Sequence, residues 1–297
     1  MNLRLEMLQV ARLAPNLLGD SARLVETFLN AHQTSEGAFQ DREGKSDLYY
    51  SVFGLDGLLA VQAAVPADAV SRYLLQFTDP AALDFIHLCC LARCWGTIAH
   101  SAKVRCPELV RERLASQIAA YRSQDGGFNL FKGQDFGAVY AAFLAVGALQ
   151  DLGVSIPDPL QLVQSLKRLE TPDGGWSNDI HTKTAGTNPT AAAAVLLTNL
   201  GMPVNSAVGD WLLQRAHKLG GFNASAEIPV PDLLSTATAL HALACLERDI
   251  APVREQCLDF VDSLWTNEGG FYGHWNDDQL DCEYTYYGLL ALGHLSI

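Results

Sequence analysis

The chain has 297 residues, of which 49% are hydrophobic and 18% charged, with seven cysteines and a formal net charge of -13. This apolar content excludes a disordered chain, and the negative charge opposes sequence-independent binding to nucleic acid or to an anionic membrane surface. No run approaches the roughly 18 apolar residues of a membrane span, and the start lacks a signal-peptide layout. We therefore expect a cytoplasmic protein without a transmembrane segment, whose cysteines, three of them crowded in "HLCCLARCW", are reduced.

A short motif of glycine followed by an aromatic residue recurs along the chain. Its first copy, "SEGAFQDRE", has a single glycine, whereas "SQDGGFNLF", "TPDGGWSNDI", "KLGGFNASA" and "NEGGFYGHW" have two adjacent glycines. The copies with two glycines lie about 48 residues apart, so that about six units fill the chain. Adjacent glycines adopt positive φ at little steric cost and mark a sharp reversal after a helix. The aromatic residue is expected to wedge one helical hairpin against the next.

Each unit pairs a charged helix with an apolar one. In chain order, the apolar helices include "DFGAVYAAFLAVGALQDLG", "PTAAAAVLLTNLG" and "DLLSTATALHALACLE", and the charged helices include "DPLQLVQSLKRLET" and "APVREQCLDFVDSLWT". The charged helices suit a solvent-facing outer layer, and no segment alternates as a strand does. An array without polar end repeats closes on itself. We predict an all-α fold, an α/α toroid of about six helical hairpins in one domain over residues 1–297, with the loops before the inner helices rimming one mouth.

Two stretches, "GAFQDREGKSDLYYSVFGLDGLLAV" and "GGFYGHWNDDQLDCEYTYYGLLALGHL", resemble the repeats of protein prenyltransferase beta subunits, whose wider relatives are squalene and diterpene cyclases. The resemblance implies an aromatic-lined cavity for an isoprenoid, basic residues for its diphosphate and a zinc ion that activates a thiol. The family's zinc ligands, an Asp, a Cys and a His, fall on Asp232, Leu234 and Tyr284 of this sequence. Because zinc needs three or four ligands, the family-type site is not intact, and the metal is unknown, with Mg²⁺ and Zn²⁺ as candidates.

Two further clusters contain residue types that could serve as acids or as metal ligands. Residue types that bind metals crowd around His87 in "LDFIHLCCLARCW" and around Asp281 in "HWNDDQLDC", but neither group has the spacing of a known zinc motif, and core cysteines with capping carboxylates explain them more simply. The related cyclases protonate an alkene with the middle Asp of an Asp-x-Asp-Asp stretch, which "WNDDQLD" only approximates. Asp281 is expected to cap the last inner helix.

The candidate site residues come from the mouth loops and the inner helices. The predicted catalytic carboxylates are Asp232 and Asp281, as an acid or as metal ligands. Basic residues that could converge on a diphosphate, or be scattered surface charges, are Arg42, Lys45 and Lys183. The predicted lining of the pocket comprises Tyr50, Tyr284 and His87. The other aromatic residues of the inner helices could line the cavity too, or form plain core: Tyr49, Phe53, Trp95, Tyr140, Phe143, Tyr286 and Tyr287.

These observations favour an isoprenoid-handling enzyme, prenyltransferase-like or terpene-cyclase-like, whose central apolar cavity holds a polyprenyl (diphosphate) chain. The alternative is a catalytically silent toroid that serves as a binding or scaffold module for a helical protein partner, because missing zinc ligands are also what a pseudoenzyme would show. A carbohydrate-active toroid would need paired carboxylates, which the sequence does not single out. Bound metal or lipid would favour the enzyme, whereas a filled centre with an exposed apolar patch would favour the scaffold.

Overall fold

A computed structural model of the protein describes residues 2–297. In chain order the α-helices are α1 (Leu3–Ala11), α2 (Pro15–Leu18), α3 (Ala22–Ala31), α4 (Leu48–Ala60), α5 (Ala67–Leu74), α6 (Phe85–Ala102), α7 (Glu108–Ala119), α8 (Val139–Asp151), α9 (Pro159–Arg168), α10 (Thr187–Asn199), α11 (Ala207–Leu213), α12 (Leu233–Cys245), α13 (Ala251–Leu264) and α14 (Cys282–Leu295). Single 3₁₀ turns cover Gly19–Ser21, Leu75–Phe77 and Pro80–Ala82. Within residues 2–297, none of these helices is long and apolar enough to cross a bilayer.

The six apolar helices form a closed inner ring. Each contacts the next in the order α4, α6, α8, α10, α12 and α14, and α14 returns to contact α4. Outer helices, among them α3, α5, α7, α11 and α13, pack against the outside of this ring. The prediction of an all-α toroid is confirmed. That residues 1–297 form one domain stays a prediction.

The composition of the two helix types explains which layer each occupies. On α12, Ala237, Leu240 and Ala242 are fully buried although they point in different directions around the helix axis. A helix that is apolar all round is stable only with neighbours on every side, whereas a helix with one apolar stripe covers a core. On α9 that stripe includes Leu162 and Leu166, which are buried.

The glycine turns connect the outer helices to the inner ones as predicted. Gly126, Gly174, Gly220 and Gly269 all have positive φ, between +89° and +95°, where residues with a Cβ are strained. At Gly220 a Cβ would lie only 1.8 Å from the backbone oxygen of Gln256. The aromatic residues that follow are buried, with Phe128, Trp176, Phe222 and Phe271 each at most 4% exposed.

Two very short antiparallel strand pairs, which the sequence did not predict, close the loops before two inner helices. They join β1 (Phe39–Gln40) to β2 (Ser46–Asp47) and β3 (Phe222–Asn223) to β4 (Pro231–Asp232). In both pairs the aromatic residue of the glycine turn lies opposite the aspartate that begins the next helix, Phe39 with Asp47 and Phe222 with Asp232. The repeat therefore fixes where each of these inner helices starts.

The first helix lies across the other end of the ring. Helix α1 contacts α4, α8 and α14, and its polar groups meet residues at the ends of the inner helices. The Leu3 backbone N–H donates to Gln150 Oε1 at 2.9 Å, and Asn199 Nδ2 donates to Glu6 Oε1 at 3.2 Å. One end of the toroid is thus a rim of loops, and the other is closed by α1.

Candidate active site

The ring encloses a central cavity of about 290 Å³. All six inner helices contribute walls, and Met7 of α1 contributes to the floor. The apolar and aromatic lining residues, which are the majority, are Met7, Tyr49, Val52, Phe53, Cys90, Tyr140, Phe143, Leu144, Ala191, Ala192, Val195, Leu234, Tyr286 and Tyr287. The polar lining residues are Arg93, Asn188, Thr238, His241 and Glu283. Enclosed apolar pockets with a few polar groups are the usual form of small-molecule sites.

The start of each inner helix determines which side chain lies nearest the mouth. In five of the six inner helices, the residue two places after the N-cap lines the cavity, giving the set Tyr49, Tyr140, Asn188, Leu234 and Glu283. In α6 that residue is Ile86, which does not line it. Further layers follow at helical spacing toward the floor.

Glu283 is the one carboxylic acid among the described residues that line the cavity. It begins α14, two residues after the capping Asp281. The Tyr49 hydroxyl, from the neighbouring helix α4, donates a hydrogen bond to Glu283 Oε1 at 2.5 Å. This contact fixes one carboxyl oxygen and leaves Oε2 for other partners.

Burial changes the protonation of this carboxyl group. It raises the pKa of Glu283 to about 7, with the Asp281 charge adding to the effect and with the Tyr49 hydrogen bond and the Arg42 charge opposing it. Desolvation disfavours the ionised form of a carboxyl group, so an acid in apolar surroundings keeps its proton near neutral pH. Glu283 can therefore act as a proton donor under conditions in which an exposed glutamate is ionised.

Aromatic rings surround Glu283. Tyr49 packs edge-on against Phe53 with ring centroids 5.0 Å apart, and Phe53 lies 5.4 Å from Tyr287 and 5.9 Å from Tyr286. Burial raises the pKa of Tyr140, the lining tyrosine of α8, above its ordinary value, so its ring remains a neutral phenol. The negative faces of such rings attract cations.

The predicted catalytic carboxylates, Asp232 and Asp281, begin adjacent helices of the ring and both serve as N-caps. Asp232 accepts hydrogen bonds from the Ser235 backbone N–H and hydroxyl, each at 2.7 Å. Asp281 accepts from the Tyr284 backbone N–H at 2.8 Å, which confirms the predicted cap, and from Arg42 Nε at 2.7 Å. Burial raises the pKa of both carboxyl groups. Neither residue lines the central cavity.

The three basic candidates do not come together. Arg42 is held by Asp281 and, through both terminal nitrogens, by Asp277 at 3.1 and 2.9 Å. Lys45 is exposed and contacts Glu43 at 2.5 Å, and Lys183 is exposed in the loop before α10. Because α10 lies opposite α4 in the ring, Lys183 and Arg42 belong to loops on opposite sides of the mouth.

Tyr50, Tyr284 and His87, which were predicted to line the pocket, lie around the rim. Tyr50 and Tyr284 occupy equivalent positions, since each backbone N–H donates to the capping aspartate of its helix, and the Arg42 guanidinium lies 5.5 Å from the Tyr284 ring centroid. His87 contacts Asp84 through Nδ1 at 2.8 Å and Asp47 through Nε2 at 3.3 Å. The Asp47 hydrogen bond, together with Asp84, raises the pKa of His87 to about 9.

The residues at the family's zinc positions do not fit a metal ion. Asp232 has its carboxylate engaged by Ser235, and Leu234 has no ligand atom. Tyr284 stands in the place of the histidine. Among residues 2–297, no group of three or more histidines, cysteines or acidic residues is arranged to hold a metal.

Comparison with known proteins places the fold. The sequence matches the prenyltransferase alpha-alpha toroid domain over residues 5–90, 71–209 and 190–296. The chain belongs to this toroid family. No curated protein sequence matches it.

Solved structures similar to this toroid-family chain cover nearly its full length. The type II terpene cyclase MstE from Scytonema, solved as a variant with its product merosterolic acid A, has a TM-score of 0.67 at 15% identity, with 95% of this chain and 97% of that chain covered. The protein geranylgeranyltransferase-I of Candida albicans, complexed with GGPP, has a TM-score of 0.66 at 16% identity, over 92% and 90% of the two chains. A protein from Actinoplanes has a TM-score of 0.61 at 15% identity, over 94% and 99%. At these identities the likeness shows the fold.

The aromatic residues that line this toroid's cavity are all among the inner-helix aromatic residues that the sequence offered as a possible lining, but the cavity acid was missed by a small shift along the helix. Sequence reasoning selected Asp281 and Tyr284 at the start of α14, whereas Glu283 between them lines the cavity. Of the two adjacent tyrosines Tyr49 and Tyr50, it singled out Tyr50 as a site residue, whereas Tyr49 lines the cavity. Counting two residues from the N-cap selects both Glu283 and Tyr49, and since an α-helix turns about 100° per residue, a shift of one residue selects a different face.

Proposed function

We propose that this toroid-family protein is a terpene-cyclase-like enzyme, which binds a neutral isoprenoid chain in its central cavity and starts ring formation by protonating it from Glu283. This proposal rests on the observation that Glu283 is the one carboxylic acid among the described residues of a mostly apolar and aromatic cavity, whose other polar lining residues are Arg93, Asn188, Thr238 and His241. An acid protonates an alkene only where no stronger base competes. A largely apolar enclosure that limits access of water provides that condition.

The charge at the mouth favours a neutral head group over a diphosphate. The helices α4, α6, α12 and α14 all begin with a capping aspartate at this end, and these charges repel an anion. Arg42 is occupied by two of the nearby carboxylates. The isoprenoid is therefore better described as an alcohol, ester or other uncharged prenyl compound.

The reaction follows from the geometry at Glu283. Oε2 transfers its proton to the terminal double bond of the chain, whose π electrons form the new C–H bond and leave a tertiary carbocation. A second double bond attacks this cation and forms the ring bond. The carbon next to the last cation loses a proton to the Glu283 carboxylate, which restores the acid, so substrate and product are isomers.

Two groups of residues assist this step. The Tyr49 hydroxyl, donating to Oε1, stabilises the carboxylate that protonation of the substrate leaves behind. The rings of Phe53, Tyr286 and Tyr287 line the cavity near Glu283 and stabilise the carbocation through their negative faces. These aromatic rings also hold the prenyl chain in a folded conformation, which brings the reacting double bonds together.

Two of the similar structures are relevant to the choice between a cyclase and a transferase. MstE is a type II terpene cyclase that was also solved with geranylgeranyl dihydroxybenzoate as its substrate. The geranylgeranyltransferase was solved with the diphosphate GGPP. The toroid described above combines a cavity suited to a chain with a mouth unsuited to a diphosphate, so the cyclase is the better comparison.

The test is turnover in deuterated water. The protein is incubated with geraniol, farnesol and geranylgeraniol and, separately, with their diphosphates, and the products are analysed by gas chromatography and mass spectrometry. Protonation by Glu283 predicts a cyclic isomer that carries deuterium on the protonated carbon. We expect Glu283→Gln to lower the rate at least about 100-fold, as for loss of a general acid, and exposed Glu255→Gln to retain it.

The other outcomes distinguish the remaining candidates. Products formed only from the diphosphates and without deuterium would refute protonation by Glu283 and restore the diphosphate prediction for Arg42. If Asp232→Asn or Asp281→Asn lost activity while Glu283→Gln kept it, the catalytic acid would be the aspartate predicted from the sequence and not Glu283. No binding of any prenyl compound would favour the scaffold with a helical protein partner.

A further inference from the structure

We infer that Met7, on the helix that closes the floor, sets the length of the prenyl chain, and that the cavity accepts a chain of the geranyl to farnesyl class. This inference rests on the proposed function, because it names the substrate class of the same cavity. It depends on three features of the structure: the position of α1, its anchoring and the volume above it.

Helix α1 is held firmly across the floor by buried charges. Arg4 is 3% exposed, and it lies between Asp151, whose Oδ1 is 3.0 Å from Nε, and Asp56, whose Oδ1 is 3.6 Å from Nη1. Arg93 of α6 contacts the other oxygen of Asp56 at 3.2 Å. Two cations and two carboxylates therefore tie α1 to α4, α6 and α8. A floor fixed in this way cannot yield readily to a longer chain.

Met7 separates the central cavity from a smaller space beneath it. It lines the cavity of about 290 Å³ and also a pocket of about 10 Å³, and both have Arg93, Phe143 and Leu144 as further walls. Met7 itself is 7% exposed. Its side chain is thus the part of α1 on which the distal end of a bound chain would rest.

The volume above Met7 fits a short chain. An apolar cavity of about 150 Å³ holds benzene, so by the same ratio one of this size holds on the order of 12 carbon atoms. The lining runs from Glu283 and Tyr49, two residues after their N-caps, to His241, nine residues after its N-cap, a depth of about 10 Å along the helices. These dimensions match two to three isoprene units. A chain of four units would extend out of the mouth.

The test measures binding against chain length, without relying on turnover. Native mass spectrometry gives the relative affinities of prenyl alcohols with one to four isoprene units and of straight-chain alcohols of matching carbon number. The wild type is expected to prefer two to three units. Met7→Ala removes three heavy atoms from the floor, and we expect the ratio of affinities for longer over shorter chains to rise about tenfold. Met7→Phe should lower that ratio.

The control is Leu8→Ala, a truncation on the same helix at a buried residue that does not line the cavity. It should leave the chain-length preference of the wild type in place. Equal preferences in the wild type, Met7→Ala and Met7→Phe would overturn the inference, as would the absence of binding in both alcohol series. If Met7 limited the length of bound straight-chain alcohols while no prenyl alcohol bound, the role of Met7 as the floor would be supported and the isoprenoid function refuted.

Discussion

The protonation of Glu283 can be tested through folding stability, without any substrate. Burial raises the pKa of Glu283 from the ordinary 4.5 to about 7, so the folded state holds the proton more tightly than the unfolded state does. A raised acid pKa contributes stability that is fully present below about pH 4.5 and is lost as the pH rises through about 7. We therefore compare the wild type with Glu283→Gln, whose amide resembles the protonated acid and does not titrate.

The magnitude follows from the two pKa values. Each pKa unit corresponds to about 1.4 kcal/mol, so a shift of this size makes the wild type lose about 3 kcal/mol relative to Glu283→Gln between pH 4.5 and pH 8. Urea denaturation of both proteins across this range gives the difference in the free energy of unfolding. Other groups titrate in both proteins, and they cancel in the difference.

Two results would refute this reasoning. A constant difference between wild type and Glu283→Gln across the pH range would mean that the carboxyl group is ionised in the folded protein near pH 5, as an exposed glutamate is. Glu255→Gln removes an exposed carboxylate from α13. If the difference in the free energy of unfolding between the wild type and Glu255→Gln had the same pH dependence, the effect would come from net charge and not from burial in the cavity.

Three further changes test the surroundings of the site and the fold. Tyr49→Phe removes the hydrogen bond that lowers the pKa of Glu283, so the midpoint of the stability difference should move to higher pH; an unchanged midpoint would contradict the 2.5 Å contact. Arg4→Met leaves the buried Asp151 without its ion-pair partner and Asp56 with Arg93 alone, and should lower the free energy of unfolding by about 3 to 5 kcal/mol, measured in urea at pH 7; a loss under about 1 kcal/mol would show that α1 is not anchored by charge. Gly220→Ala forces a Cβ against the Gln256 carbonyl and should lower the melting temperature more than Gly153→Ala, where φ is also positive but nothing lies within 4 Å; equal effects would mean that only the backbone conformation matters.

The fold was predictable because its signals are local and repeated. Each glycine turn needs positive φ at Gly126, Gly174, Gly220 and Gly269, and each inner helix needs apolar residues on all sides, so sequence alone indicates both. Helix α1 was not predicted as the floor. It lies outside the repeat, and the partners of Arg4 are 52 and 147 residues away along the chain, a pairing that no local pattern encodes.

The site was predictable only in part, for a related reason. Helix caps follow from short-range hydrogen bonds, so Asp281 could be assigned its position from the sequence. Which neighbour of a cap faces the cavity depends on the rotation of the helix within the ring, and that rotation is set by packing against the adjacent helices. The pairing of Tyr49 with Glu283, 234 residues apart, becomes visible only once α4 and α14 close the ring.

The closed ring also gives the carboxylate of the capping Asp281 an effect on Glu283. Asn would cap a helix about as well as Asp, but it carries no charge. As a carboxylate, Asp281 both caps α14 and, through its charge, adds to the raised pKa that burial gives Glu283. Arg42 partly offsets that charge, because it binds Asp281 on the side of the rim. The cap that begins the last inner helix thus also helps to keep the proton on the cavity acid, so the same residue serves the fold and, under the proposed mechanism, the chemistry.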